Sequence, residues 1–179
     1  PRLLKRLRDP DPRVRAWAAY GLGDVCAGAR ESVVRGLVAS AVAHAVSEPA
    51  EGELDPTRAI ARALGRCATE SAEATLAAWL DTPDGHHAVE ALGDVASSRK
   101  RLREETYVAL LQRAEGDAEH PPRGEALYPL GRVKYLTPSV VERARAIAMA
   151  RLDDEDVSAA TAVHAVNTLA RCGDEALPV

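Results

Sequence analysis

Apolar positions recur along this chain in one arrangement: two adjacent apolar residues, a gap of two, then a leucine followed by a small residue. The first instance is Ala18 and Ala19 ahead of Leu22-Gly23-Asp24-Val25. It returns as Ile60 and Ala61 with Leu64-Gly65-Arg66-Cys67, as Ala88 and Val89 with Leu92-Gly93-Asp94-Val95, and as Ala126 and Leu127 with Leu130-Gly131-Arg132-Val133. A fifth instance, Ala165 and Val166 with Leu169-Ala170-Arg171-Cys172, carries alanine in place of glycine. Spacings of three and four place these residues on one face of a helix, and the recurrence marks an internal repeat.

Each leucine motif closes a helix, and a separate apolar run precedes it. In the first unit that run is Leu3, Leu4 and Leu7; in the third Leu76, Trp79 and Leu80; in the fourth Tyr107, Leu110 and Leu111. Start signals repeat as well. Asp11-Pro12, Asp55-Pro56 and Thr137-Pro138 each set a side-chain cap ahead of a proline at the first helical position. The chain therefore divides into helix pairs over about 1–26, 31–67, 70–96, 102–134 and 137–173. Pro129 falls inside the second helix of the fourth pair, where a missing amide and a steric clash predict a kink or an early break.

Composition sharpens this into a fold class. Of 179 residues 46% are hydrophobic but only 3% aromatic, with no Phe, so the core is built from small and aliphatic side chains that let helices approach closely. No long stretch alternates as a strand does, and the class is all-α. Such helix pairs cannot bury an apolar face alone and stack into a solenoid. The glycine after each leucine suits that close approach, with Ala170 suggesting that a methyl is tolerated.

The three cysteines read as structural. Cys67 and Cys172 occupy the repeat position of Val25, Val95 and Val133, and Cys26 lies one residue beyond it. An odd count without paired spacing fits neither a disulfide framework nor a zinc site, so all three are expected to be small buried apolar residues.

The stretch Leu4-Lys5-Arg6-Leu7-Arg8-Asp9-Pro10-Asp11-Pro12-Arg13-Val14-Arg15, followed by Ala18-Ala19 and Leu22-Gly23, resembles a HEAT repeat of the bacterial, phycobilisome-lyase-like subtype. The resemblance is strong for the first unit, good for the second helices of units two and three, and weaker in units four and five. It implies a right-handed α-solenoid of about five HEAT-like helix pairs, whose second helices line a concave face. Because Leu3, Leu4 and Leu7 stand at the very start and Glu175 to Val179 resembles the opening of another unit, the chain is expected to be a fragment of a longer solenoid.

Opposite the core positions, each second helix carries a stripe at minus five, minus two and plus two from its leucine. Read through the five copies it is Trp17, Tyr20, Asp24; Ala59, Arg62, Arg66; His87, Glu90, Asp94; Glu125, Tyr128, Arg132; and His164, Asn167, Arg171. These residues, Ala59 apart, are the candidate binding surface that the resemblance turns towards the groove. Arginine and aromatic side chains are frequent anchors of protein interfaces, and Trp17 and Tyr20 stand out. The plainer alternative is that the four arginines and four carboxylates of the stripe pair with one another between neighbouring helices.

Other chemistries find less support. His86, His87 and Glu90 share a helix at spacings suited to one metal, and HEAT-like hydroxylases use recurring His-Glu pairs, but no His-Glu dipeptide occurs here. No Gly-rich elbow or base surrounds a serine or cysteine nucleophile. The basic stretches Arg2 to Arg15 and Arg99-Lys100-Arg101 with Arg103 are interleaved with or followed by carboxylates. With a formal charge of −4, that argues against the nucleic-acid binding of HEAT-like glycosylases. No run of about eighteen apolar residues and no signal core occur, and the expectation is a cytoplasmic protein. The reading is a non-catalytic scaffold without metal or cofactor, holding a protein or peptide on its concave face. Its alternative is a HEAT-like enzyme or subunit of lyase, glycosylase or hydroxylase type.

Overall fold

The computed structural model describes residues 2–26, 31–44, 54–117 and 121–173; Glu175 to Val179 lie outside them. Nine α-helices are present among the described residues: α1 Arg2–Arg6, α2 Pro12–Asp24, α3 Glu31–His44, α4 Pro56–Cys67, α5 Glu70–Trp79, α6 Gly85–Arg99, α7 Glu104–Glu115, α8 Pro138–Leu152 and α9 Ala159–Leu169. Two 3-10 helices, Gly124–Leu127 and Leu130–Arg132, stand between α7 and α8. There is no strand among these residues.

The start signals act as their chemistry dictates, with one exception. Asp11 accepts from the Arg13 amide at 2.8 Å and Asp55 from the Thr57 amide at 2.8 Å, each ahead of its proline. Thr69 and Ser158 cap α5 and α9 in the same way, at 3.1 Å. Thr137 makes no such cap: its hydroxyl donates instead to Glu104 at 2.9 Å, tying the start of α8 to α7.

The elements form two layers. In one, α2 packs on α4, α4 on α6, α6 on the 3-10 pair, and the 3-10 pair on α9; in the other, α1, α3, α5, α7 and α8 follow one another. The core runs between them. The repeat leucines Leu22, Leu64, Leu92, Leu130 and Leu169 are all 4% exposed or less, and so are the flanking apolar pairs, except Val166 at 46%. Val166 and Val163 share a side of α9 that no described element covers.

Repeat glycines mark where each second helix meets the next. A Cβ on Gly23 would stand 2.9 Å from Ala63 Cα, one on Gly65 2.6 Å from the Ala91 carbonyl, and one on Gly131 2.7 Å from Asn167 Cβ. All three are closer than ordinary packing allows. Ala170 is exposed, so its methyl does not sit at a buried helix contact and does not show tolerance at the buried copies.

Three sequence expectations need correction or sharpening. Cys26 and Cys67 are not two separate thiols but a disulfide, with Cα atoms 5.0 Å apart. Because α2 ends at Asp24, Val25 leaves the helix and is 68% exposed, while Cys26 turns inward beside the end of α4. A bond of this kind belongs mostly to oxidising compartments and weighs against the cytoplasmic expectation. Cys172 alone is a buried free thiol. Lastly, Pro129 does more than kink its helix: the whole second helix of the fourth pair is replaced by the two 3-10 helices that flank it.

One buried carboxylate holds the middle of the stack. Glu73 is fully buried in α5, yet it takes the Arg99 guanidinium at 2.5 Å and the Arg103 amide at 2.6 Å. It thereby fixes the turn from α6 into α7. The adjacent Leu102 amide donates to the Tyr107 hydroxyl at 3.1 Å.

Candidate functional site

The second-helix layer carries a pocket of about 460 Å³ bounded by α4, α6, the first 3-10 helix and α9. Arg58 and Arg62 reach it from α4; His86, His87, Glu90 and Asp94 from α6; Glu125 and Tyr128 from the 3-10 region; His164 from α9, with Val89 and Ala91 at its floor. Seven of the predicted stripe residues thus come together: Arg62, His87, Glu90, Asp94, Glu125, Tyr128 and His164.

Its wall is braced by an interaction between two repeats. Asp55, whose one oxygen caps α4, accepts with the other from His87 Nε2 at 2.8 Å. Burial pushes the Asp55 carboxyl up, but the hydrogen bonds from His87 and the Thr57 amide outweigh it and hold the group below the usual aspartate range. His87 Nδ1 is buried without a hydrogen-bond partner among the described residues. The His86 ring lies over His87, centroids 3.8 Å apart. Sequence reasoning treated Asp55 only as a cap; its second role was invisible because the partner lies a whole repeat away. Arg58 was also missed, although it stands four residues before Arg62 and so shares its helix face.

The charges of the site are unevenly matched. Arg58 lies 3.6 Å from Glu90, both well exposed. Asp94 and Glu125 are half-buried, and their carboxylates make no ion pair or hydrogen bond among the described residues. The Tyr128 ring occupies the space left by Gly93, where a Cβ would clash with the ring edge at Cε1. It meets the His164 ring at 5.2 Å between centroids, and the Arg132 guanidinium sits 5.1 Å from its own centroid. Burial lowers the His164 pKa, opposed in part by Glu125, so the imidazole is neutral at pH 7.

The remaining stripe residues form two other groups. Trp17 is 65% exposed on α2 and lies 6.1 Å from the half-buried Tyr20 ring. Beside them Asp24 pairs with Arg66 across α2 and α4, the inter-helix pairing that the plainer alternative foresaw. At the other end Arg132 donates to Ser97 Oγ at 2.6 Å, and Arg171 to the Gly131 carbonyl at 3.2 Å, while Asn167 packs its Cβ towards Gly131.

The basic stretches serve local structure. Arg15 is buried and donates to the carbonyls of Asp9 and Pro10 at 2.9 and 3.0 Å, Arg6 pairs with Asp9, and Arg99 with Glu73 and Glu70. No group of three or more His, Cys, Asp or Glu side chains among the described residues is placed to hold a metal ion. No helix among them is long and apolar enough to cross a membrane.

Residues 1–29 match the model of the HEAT repeat. The fold is similar to that of a solved complex of CpcE and CpcF of phycocyanin lyase from Nostoc sp. PCC7120, with a TM-score of 0.68 and 20% identity over 95% of this chain. This chain spans 63% of that one, less than two thirds of its length. An engineered protein of known crystal structure is also similar, with a TM-score of 0.55 and 19% identity over 96% of this chain and 78% of the other. No curated protein sequence matches the chain.

Proposed function

Taking the chain as a HEAT-repeat solenoid, we propose that it is a non-catalytic scaffold that holds a protein or peptide partner on its second-helix face. The observation that carries this reading is Trp17, a large aromatic left 65% exposed beside Tyr20. An indole in water forgoes a large burial free energy that a partner can recover, which is why tryptophan and tyrosine dominate interface hot spots. The similar lyase chain sits in a two-chain complex, and that pairing agrees with a binding role. The Asp24 and Arg66 pair next to the aromatics supplies polar specificity at the rim.

Affinity capture from source-cell lysate, with wild type set against Trp17→Ala/Tyr20→Ala, tests the proposal. A protein retained by the wild type should bind the double variant more weakly by about 2 kcal/mol or more, with the helical circular dichroism unchanged. Undiminished retention by a folded double variant removes the reading.

A second reading draws on the similarity to phycocyanin lyase and on the pocket: a lyase-like subunit that holds a chromophore among Arg58, Arg62 and the Tyr128 and His164 rings. Visible absorption in the purified protein, or acquired on exposure to a bilin, is its distinguishing sign.

A further inference from the structure

We infer that the pocket between α4, α6, the first 3-10 helix and α9 receives the guanidinium or ammonium group of a basic side chain on the partner polypeptide. The inference rests on the scaffold reading and names the chemistry of one contact within it.

The other two carboxylates of the stripe, and the Asp55 cap beside them, are already engaged. Asp24 is taken by Arg66, Glu90 by Arg58, and Asp55 by His87 and the Thr57 amide. Asp94 and Glu125 are the two left open, and they come from different elements to face one cavity. A cation in this cavity would donate charge-assisted hydrogen bonds to carboxylates that no described side chain satisfies.

The rest of the lining fits the same guest. The Tyr128 ring at the edge of the cavity already takes one planar cation, the Arg132 guanidinium 5.1 Å from its centroid. Its neighbour His164, kept neutral by burial, does not supply the positive charge itself. Arg62 lines the cavity too but is exposed and pairs with neither carboxylate, so the lining holds two arginines against three carboxylates and keeps a negative surplus. Arg62 is free to donate to main-chain carbonyls of the same peptide. A volume of about 460 Å³ accepts an extended side chain with water to spare.

The test uses a glycine-flanked arginine peptide titrated into the chain, with backbone amide shifts followed by NMR. The same peptide with citrulline, which keeps the shape and loses the charge, is the control. Saturable shifts are expected around Asp94, Glu125 and Tyr128 with arginine and not with citrulline. Asp94→Asn/Glu125→Gln should raise the Kd at least about tenfold. Neither substitution removes a described bond, and an unchanged amide spectrum elsewhere verifies the fold.

Equal binding of the citrulline peptide, shifts that persist in the double variant, or no saturable shift at the pocket would each overturn the inference. The scaffold reading is tested apart from it. A captured partner that depends on Trp17 and Tyr20 yet binds Asp94→Asn/Glu125→Gln with unchanged affinity defeats the pocket assignment alone.

Discussion

Two joints of the same stack are closed in different ways. Between α2 and α4, main chain meets main chain: Gly23 lies against Ala63, an ion pair crosses from Asp24 to Arg66, and the Cys26–Cys67 disulfide locks the ends together. Between α6 and the 3-10 pair, a side chain fills the gap, because the element broken around Pro129 brings the Tyr128 ring rather than a helix backbone onto Gly93. The broken joint forms part of the pocket wall, through Glu125 and Tyr128. A lapse in helical regularity is thus where the layer gains space for a guest.

Removing the covalent lock should have the largest effect. The disulfide closes a separation of 41 residues, for which the chain-entropy model gives about 4 kcal/mol. Cys26→Ala/Cys67→Ala should therefore lower the urea midpoint substantially, and a midpoint equal to that of the oxidised wild type would show that the bond contributes nothing.

Next come the glycines, at the same repeat position in the two joints. Gly23→Ala and Gly93→Ala should each cost about 1–3 kcal/mol by overpacking. Only the second should be relieved by Tyr128→Ala, since at Gly23 the obstacle is the backbone of Ala63. Relief of neither, or of both, in a double-mutant cycle would erase the distinction between the joints.

The smallest effect is the response to acid at the Asp55 brace. Its pKa is below the ordinary aspartate value in the folded chain, so the unfolded chain takes up the proton first. The stabilisation is fully present above the ordinary value of 3.8 and is lost as the pH falls through the lowered one. Wild type should lose more stability than Asp55→Asn between pH 5 and pH 3 in urea titrations; parallel losses would sink the assignment.

Much of the fold was legible because it is local. The leucine period, the Asp-Pro starts and the disruptive Pro129 each act within a turn or two of chain, and the structure follows them closely. What escaped acts across repeats. The Cys26–Cys67 bond depends on α2 ending just before Val25, a matter of one residue of register. The His87 to Asp55 contact depends on the offset between successive helices, which no single repeat encodes. Glu73 belongs to the same class: nothing in Glu70-Ser71-Ala72-Glu73 reveals that one carboxylate is sealed under Arg99 while Glu70 stays exposed. Of the site, the stripe rule found most of the lining, but it grouped Trp17 with His164 although the structure sets them in separate clusters.

The glycine contacts divide responsibility within the sequence. Where stacking is secured by backbone, as at Gly23 and Gly65, and an ion pair from Asp24 to Arg66 joins the first of these contacts, exposed positions such as Trp17 and Arg62 are spared from closing the joint. Their side chains can drift, or be exchanged by an engineer, without retuning the stack. Position 128 lacks that freedom. Its ring both seals a joint and faces the pocket, so a change there alters architecture and recognition in a single step, and a lineage exploring new partners would find it the slowest letter to rewrite.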